Sequence, residues 1–285
     1  MIVFAGSMLY DPHDISGKLD LSTETPADAA GKDWAAWGGT GAGDHYSGLN
    51  QITPDNVHRL KLAWQFQTGD LRRPTDSGEV TYESTPLKIG NTLYACSPHQ
   101  IAIANPSSIP FVQHLVPRGP GNLAEPGPNL PAGSETGIQP MFGTPYGVHL
   151  DFFRSPLGLP CMAPPWGAIA AIDLKTNNVI WQHRVGTIQD NGPVPLPLKI
   201  GTPMLGGPLV TRGGVAFLTS TTDYYIRAFD VKTGRQLWQD RLPAGGQSNP
   251  MSYDVNGEQY IVTVDGGHQT FGTKMGDYIR AYKLQ

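Results

Sequence analysis

Charged residues, paired cysteines and long apolar runs are all scarce in this chain of 285 residues. Only 15% of the residues are charged, the formal net charge is −4 and no Lys/Arg-rich run occurs, so the electrostatic footprint of a nucleic-acid-binding protein is missing. The two cysteines, Cys96 and Cys161, lie far apart, and the absence of a C-x-x-C-H motif excludes covalently attached c-type haem. We expect both cysteines to be small buried residues rather than a disulfide.

The longest apolar run at the N-terminus, residues 1–10, is too short to cross a bilayer, which takes about 20 apolar residues. It also lacks the basic leader and the small-residue cleavage site of a signal peptide. Two interpretations stay open for this run. It is either the stub of a shortened membrane helix or an ordinary first strand or frayed end.

Glycine and proline are plentiful, with 35 and 26 residues, while 39% of the chain is hydrophobic. This profile predicts many short strands joined by tight turns, and it argues against a helical bundle. The hydrophobic fraction is also large enough to fill a core, which argues against disorder. The composition therefore favours an all-β fold.

An internal repeat organises the second half of the chain. Ala171–Trp181 matches Ala228–Trp238, and a third copy begins at Tyr278–Leu284. Apolar and polar residues alternate within each copy, as in a half-buried strand, and Asp-x-x-Thr-Gly supplies a turn before a strand that carries a Trp. With two further strand patterns upstream, residues 207–242 form a predicted four-stranded antiparallel unit. A repeated four-stranded unit is typical of a propeller blade.

The rest of the chain is assigned relative to this repeat. Leu62–Gly69 is a strand that bears Trp64 and lacks preceding partners, so we expect it to pair beside the third copy at 278–284. Ser84–Ile89 and Thr92–Cys96 are predicted to form a hairpin. The Pro/Gly-rich stretch 106–166 is predicted to be a long loop excursion. Trp181 and Trp238 are expected to be buried between adjacent sheets, and Trp166 to be a core or docking ring.

Several motifs together resemble one known family. They are Leu49–Val57, Leu62–Gly69, Pro117–Asn122, Gly137–Pro140, Gly201–Pro208, Leu242–Gln247 and Phe271–Tyr278. They are similar to segments of the quinoprotein dehydrogenases, and above all of the membrane-bound PQQ-dependent glucose dehydrogenase group. The resemblance covers nearly the whole chain.

The resemblance implies a β-propeller of the quinoprotein dehydrogenase type, shortened to about four four-stranded blades. Residues 1–32 would be a membrane-helix stub and linker, and residues 33–285 the truncated propeller. The family pattern runs through Cys96–Gln100 and resumes at Ile101–Pro106, which resembles a much later blade. The middle of the family's propeller is therefore expected to be missing.

The resemblance also implies a function. Members of the group oxidise an aldose, glucose to gluconolactone, with PQQ held beside Ca²⁺ or Mg²⁺, and they pass the electrons to ubiquinone on the periplasmic side of the bacterial inner membrane. Two alternatives remain open for this chain. It is a non-catalytic propeller remnant or binding module, or it is a quinate or polyol dehydrogenase of the same group.

Three residues match family positions near the reaction. Glu83 matches a glutamate that hydrogen-bonds the cofactor, and His99 matches a histidine beside PQQ; the alternatives are a solvated carboxylate and a structural histidine. His268 is a candidate for the substrate mouth or a loop brace, and Asp265 and Asp277 are interpreted as turn residues. The family's base and metal ligands come mostly from the missing middle. No catalytic residue and no metal ligand is therefore assigned, and we expect low activity from the chain by itself.

Overall fold

The computed structural model describes residues 14–19, 29–67, 85–90, 92–94, 111–117, 137–141, 143–157, 159–161, 164–173, 176, 178–269 and 271–285. Within these ranges the fold is all-β, with a single 3-10 turn before the second strand. No helix in the described ranges is long and apolar enough to cross a membrane. The strands are β1 (Tyr46–Ser47), β2 (Leu60–Gln67), β3 (Leu87–Ile89), β4 (Thr92–Tyr94), β5 (Phe111–Pro117), β6 (Gly137–Pro140), β7 (Tyr146–Phe152), β8 (Ala168–Asp173), β9 (Asn178–Arg184), β10 (Leu209–Thr211), β11 (Val215–Leu218), β12 (Tyr225–Asp230), β13 (Gln236–Arg241), β14 (Met251–Val255), β15 (Glu258–Asp265) and β16 (Tyr278–Leu284).

Strands β10 to β13 form an antiparallel sheet in sequence order, which confirms the predicted four-stranded unit at 207–242. The Asp-x-x-Thr-Gly turn between β12 and β13 closes as expected. The Gly234 N–H donates to the Asp230 carbonyl at 2.8 Å, and Gly234 has φ 69°, a left-handed conformation that glycine adopts without strain. A fifth strand that the pattern did not indicate, β1, pairs with β10 in parallel.

Strands β14, β15, β16 and β2 form a second four-stranded antiparallel sheet. Trp64 on β2 lies opposite Ala281 on β16, which confirms that the Trp-bearing N-terminal strand completes the third copy of the repeat. The pairing joins segments from opposite ends of the described chain. It therefore covers the edge of β16, which would otherwise expose unpaired backbone groups.

Three smaller sheets complete the described fold: the hairpin β3–β4, the pair β8–β9 and the sheet β5–β7–β6. The hairpin confirms the predicted pairing of its two strands. The last sheet corrects an expectation, because the stretch 106–166 contains three paired strands rather than a continuous loop. Phe111, Val112 and Val116 are of the aromatic and β-branched types that favour a strand, despite the prolines and glycines around them. The predicted domain division at residue 32 stays a prediction.

Residues 14–19, which were predicted to belong to a linker, pack along the edge of β9. Ile15 and Gln182 exchange two backbone hydrogen bonds of 2.9 Å, and the Leu19 N–H donates to the Lys232 carbonyl at 2.8 Å. This part of the N-terminal stretch is therefore attached to the β8–β9 sheet.

Two apolar clusters fill the space between the sheets. The larger lies between the β10–β13 and β14–β2 sheets and includes the fully buried Trp34 and Tyr282. The smaller contains Trp181, which is 3% exposed and donates from its indole N–H to the Val231 carbonyl at 3.0 Å, as the Trp prediction required. Trp238 departs from that prediction. It is only half-buried and stands edge-on to Tyr282, because it lies near the outer margin of its sheet.

The prediction that both cysteines are buried is wrong for Cys161. Cys161 is an exposed free thiol rather than a buried residue, because it lies in the irregular segment after β7 and not in a strand. Cys96 lies outside the described residues.

Candidate functional site

Four connections lie together at one end of the strands of the two large sheets. Successive connections in an antiparallel sheet lie alternately at the two ends of its strands. The connections at 185–208, 219–224, 242–250 and 266–277 therefore all lie on the same side. We call this side the loop edge. Loops held by a rigid scaffold are where binding residues concentrate.

Buried polar side chains are concentrated along the loop edge. Burying a polar group is costly unless it finds a partner, so such a concentration calls for a reason beyond packing. These side chains bond mainly to one another and to the neighbouring backbone; for example, the Thr219 hydroxyl donates to the Ser248 carbonyl at 2.7 Å. The buried polar residues of the loop edge are Thr202, Thr219, Ser220, Thr221, Thr222, Asp223, Gln247, Ser248, Asn249, His268, Thr273 and Asp277.

Asp223 ties three segments of the loop edge together. Its carboxylate accepts from the Arg227 guanidinium at 2.5 and 2.9 Å, from the Thr221 hydroxyl at 2.7 Å, and from the backbone N–H of Thr187 at 2.7 Å. Burial by itself would raise the pKa of Asp223. The hydrogen bonds and positive charge of Arg227 outweigh that effect and hold the pKa below its ordinary value. Asp223 is therefore a charged structural anchor, and the sequence analysis did not single it out.

A cavity of about 90 Å³ opens at the loop edge. Three aromatic residues from separate parts of the chain line it: Phe152 at the end of β7, Trp166 before β8, and Phe271 between β15 and β16. The Phe152 and Phe271 rings meet edge-to-face with centroids 5.5 Å apart. Only the tertiary structure brings these three rings to one place.

Polar groups share the cavity wall with the aromatic rings. Thr187, Asn191 and Thr202 line it, and the Asn191 amide is fixed by donating to the Thr222 carbonyl at 2.6 Å. The Arg154 guanidinium, which also lines the cavity, lies 5.3 Å from the centroid of the Phe152 ring. Aromatic faces beside hydroxyl and amide groups suit a small molecule with both C–H surface and hydroxyl groups.

His268 lies behind this cavity rather than in its wall. Its backbone N–H donates to the Thr273 hydroxyl at 2.7 Å, and its carbonyl accepts from the Thr273 N–H at 3.2 Å. The imidazole is 2% exposed and stands edge-on to Phe271, with the ring centroids 4.9 Å apart. Phe271 lines the cavity, and His268 contacts Phe271 without being one of the lining residues. A role for His268 near the substrate mouth stays a prediction.

Asp265 is the buried acid nearest to His268 in sequence. It ends β15 as a fully buried residue, rather than standing in a turn as the sequence analysis expected, because the strand continues through it. One carboxyl oxygen accepts from the Thr263 hydroxyl at 2.9 Å, and the other finds no hydrogen-bond partner among the described residues. Burial raises the pKa of Asp265 to about 7, against the opposing attraction of Arg280.

Asp277 lies in the connection between β15 and β16, where the sequence analysis expected a turn residue, and it is buried. Its carboxylate accepts from the Gln67 side-chain amide at 3.1 Å, where β2 meets β16. This acid therefore helps to hold the paired ends of the second sheet.

The two predicted cofactor residues, Glu83 and His99, lie outside the described residues. Among the described residues no group of three or more His, Cys, Asp or Glu side chains is placed to hold a metal ion. The cavity is also much smaller than the roughly 300–1,000 Å³ of a typical ligand pocket. The described residues by themselves therefore do not enclose a site for a tricyclic quinone such as PQQ.

The comparison with protein families now identifies the fold. A family model described as the β-propeller domain of glucose/ethanol/alcohol dehydrogenase, named for PQQ, matches residues 34–104 and 98–261. The chain belongs to this family of PQQ β-propeller domains. The match falls into two segments that overlap at 98–104.

Three individual relatives show which dehydrogenases the chain is similar to. Quinoprotein glucose dehydrogenase of Escherichia coli (strain K12) is 56% identical over 190 residues, which cover 65% of this chain and 24% of that protein. A probable quinate dehydrogenase (quinone) of Xanthomonas campestris pv. juglandis is 42% identical over 192 residues, covering 65% of this chain and 24% of that protein. The glycerol dehydrogenase large subunit of Gluconobacter oxydans (strain 621H) is 41% identical over 252 residues, covering 84% and 31%. The chain thus spans about a quarter to a third of the length of these curated relatives.

Proposed function

We propose that this chain is a propeller portion of a PQQ-dependent dehydrogenase that oxidises an aldose and passes the electrons to ubiquinone. The identity of 56% to a quinoprotein glucose dehydrogenase is the observation that carries the proposal. Glucose is the preferred substrate because the quinate and glycerol relatives are less similar, at 42% and 41% identity. By the same relationship, the chain would act on the periplasmic side of the inner membrane.

The loop edge supplies the part of this function that the described residues can support. Its cavity joins three aromatic rings to hydroxyl and amide groups, and that combination suits a sugar or polyol. Glu83 would hydrogen-bond PQQ and His99 would lie beside it, with Ca²⁺ or Mg²⁺ as the accompanying cation. PQQ supplies the two-electron redox chemistry when it is bound. The protein's own contribution would be to bind and orient the sugar.

A specific observation favours a second candidate, a binding module without catalysis. The described wall of the loop-edge cavity carries aromatic rings beside hydroxyl and amide groups, which suit the binding of a small ligand. General-base catalysis by itself contributes about 10²–10⁴-fold, so a chain that lacks the family's base, as the expected loss of the middle of the propeller implies, would lose at least that factor. We therefore expect turnover by this chain to be far below the usual enzymatic range of about 1–10³ s⁻¹.

Two measurements on the purified chain test these proposals. The first is the absorbance shift of PQQ on titration with the chain in the presence of Mg²⁺ or Ca²⁺. The second is dye-linked oxidation of glucose, quinate and glycerol by the same mixture. Glu83→Ala tests the cofactor contact. Glu258→Ala is the matched control, because it removes an exposed glutamate at the start of a strand.

The outcomes separate the candidates. A PQQ shift that Glu83→Ala weakens and Glu258→Ala leaves unchanged supports the cofactor role. Slow oxidation with glucose as the best of the three substrates supports the aldose proposal, whereas preference for quinate or glycerol replaces it with that alternative. Absence of any PQQ shift leaves the binding module as the function.

A further inference from the structure

Two histidines lie opposite each other on the adjacent strands β5 and β7, and they have no part in the function proposed above. His114 on β5 lies directly opposite His149 on β7 in the antiparallel register. The ring centroids are 4.6 Å apart and the ring planes are inclined by 39°. Neither residue lines the loop-edge cavity.

Neither imidazole forms a hydrogen bond or an ion pair with another residue in the part of the chain that the structure describes. His114 is exposed and His149 is half-buried. The Nδ1 atom of His149 is buried and has no hydrogen-bond partner among the described residues. A buried nitrogen of this kind calls for an explanation, and an ion that it binds is one of the recognised explanations.

Two imidazoles held side by side have a specific chemistry. Neutral imidazole nitrogen is a ligand for Zn²⁺, Ni²⁺ and Cu²⁺, with metal–nitrogen distances of about 2.0–2.1 Å for zinc. Residues directly opposite each other on antiparallel strands have Cβ atoms about 4.5–5.5 Å apart, so one ion between the rings can reach a nitrogen of each after a small rotation. The sheet thus sets the spacing before the metal arrives.

We propose that His114 and His149 together bind one divalent transition-metal ion of the Zn²⁺, Ni²⁺ or Cu²⁺ type. No third His, Cys, Asp or Glu ligand joins them within the described part of the chain, so water completes the coordination. This site differs in chemistry from the Ca²⁺ or Mg²⁺ expected beside PQQ, because those hard cations take oxygen ligands. It is therefore independent of the proposed dehydrogenase function.

Calorimetric titration of the full chain with Zn²⁺ tests the proposal. Two pre-placed ligands gain affinity through their effective concentration, so His114→Ala and His149→Ala should each weaken binding by about 10²-fold. His58→Ala is the matched control, because it removes an exposed histidine from a different part of the fold and should leave Zn²⁺ affinity unchanged. Mg²⁺ and Ca²⁺ should neither bind at this site nor compete with Zn²⁺.

Two further measurements guard against misfolded variants. The Cu²⁺ electron paramagnetic resonance spectrum should show coupling to two nitrogens in the wild type and to one in His114→Ala, a change at an exposed position that leaves the fold intact by circular dichroism. Zn²⁺ affinity should also fall in acid, since the ligands must be unprotonated. The proposal is overturned if wild type and folded His114→Ala bind Zn²⁺ equally well, or if His58→Ala loses as much affinity as they do.

Discussion

The two large C-terminal sheets and the β5–β7–β6 sheet are built from strands of similar length but differ in what they bury. In the β10–β13 sheet, Leu209 and Phe217 are fully buried, and all four residues of β11 are buried. In the β5–β7–β6 sheet, Val112 is 42% exposed and Leu115 is 58% exposed. The first region is a packed core, and the second is a layer with much of its apolar surface in solvent.

The difference shows that strands can pair in a sheet without forming a buried apolar core. Hydrogen-bonded strands can form from local alternation, but a sheet is stabilised chiefly by the apolar area that another layer covers. The C-terminal sheets cover each other through the cluster around Trp34 and Tyr282. We therefore expect stability to reside in the C-terminal region, and the following predictions test that contrast in order of decreasing effect.

Breaking the buried ion pair of the C-terminal region should have the largest effect. Asp223→Ala leaves the Arg227 guanidinium, which is 4% exposed, without its carboxylate and should lower the free energy of unfolding by about 3–5 kcal/mol. Urea unfolding at neutral pH measures the loss. Asp55→Ala is the matched control, because that carboxylate is exposed. A loss below about 1 kcal/mol would mean that the pair does not hold the loop edge together.

Replacing Trp181 should have an effect of similar size, and Trp238 provides the comparison. Trp181 is buried and hydrogen-bonded, so Trp181→Ala should cost about 3–5 kcal/mol. Trp238→Ala should cost less free energy of unfolding, because a half-buried ring removes less apolar surface from water than a buried one. Equal losses from thermal unfolding of the two variants would contradict the difference in burial.

The buried acid of the second sheet predicts a pH dependence. Burial raises the pKa of Asp265 to about 7 in the folded chain, so the folded state retains a proton that the unfolded state releases at an ordinary aspartate pKa of about 3.9. This contribution to stability is complete below about pH 4 and is lost as the pH rises through 7. Three pKa units correspond to an upper limit of about 4 kcal/mol.

Asp265→Asn tests this dependence, because asparagine keeps the shape of a neutral acid at every pH. The variant should match the wild type at pH 4 and exceed it in free energy of unfolding at pH 8. Urea unfolding at pH 4, 6 and 8 measures the difference. If the variant and the wild type differ in free energy of unfolding by the same amount at all three pH values, Asp265 does not change its charge between pH 4 and pH 8.

The smallest effect is expected in the exposed sheet. Leu115→Ser on β5 should change the free energy of unfolding by no more than about 0.5 kcal/mol, because the side chain is mostly in solvent. Leu209→Ala on β10 is the matched comparison in the packed region and should cost about 2–5 kcal/mol. If both leucines prove equally costly, another surface covers the β5–β7–β6 sheet in solution.

Local patterns were sufficient for the repeated part of the fold. The two Trp-bearing copies and the Asp-x-x-Thr-Gly turn predicted the four strands of 207–242, and the third copy, lacking its last strand, predicted that β2 would pair with β16. Both predictions rest on features within a few residues, repeated often enough to be recognised. The same reasoning failed at 106–166, because the prolines and glycines near the strands outweighed the aromatic and β-branched residues of β5 and the alternation within β7.

The sequence by itself determined the all-β class, the blade pattern and the family. Each of these follows from the alternation of apolar and polar residues, from turn residues or from motifs, all of which extend over short stretches of the chain. Only the tertiary structure decided which side chains meet. It placed Phe152, Trp166 and Phe271 around one cavity and buried both His268 and Asp265. Burial and neighbours, which set pKa and accessibility, depend on residues far apart in the chain, and no local pattern encodes them.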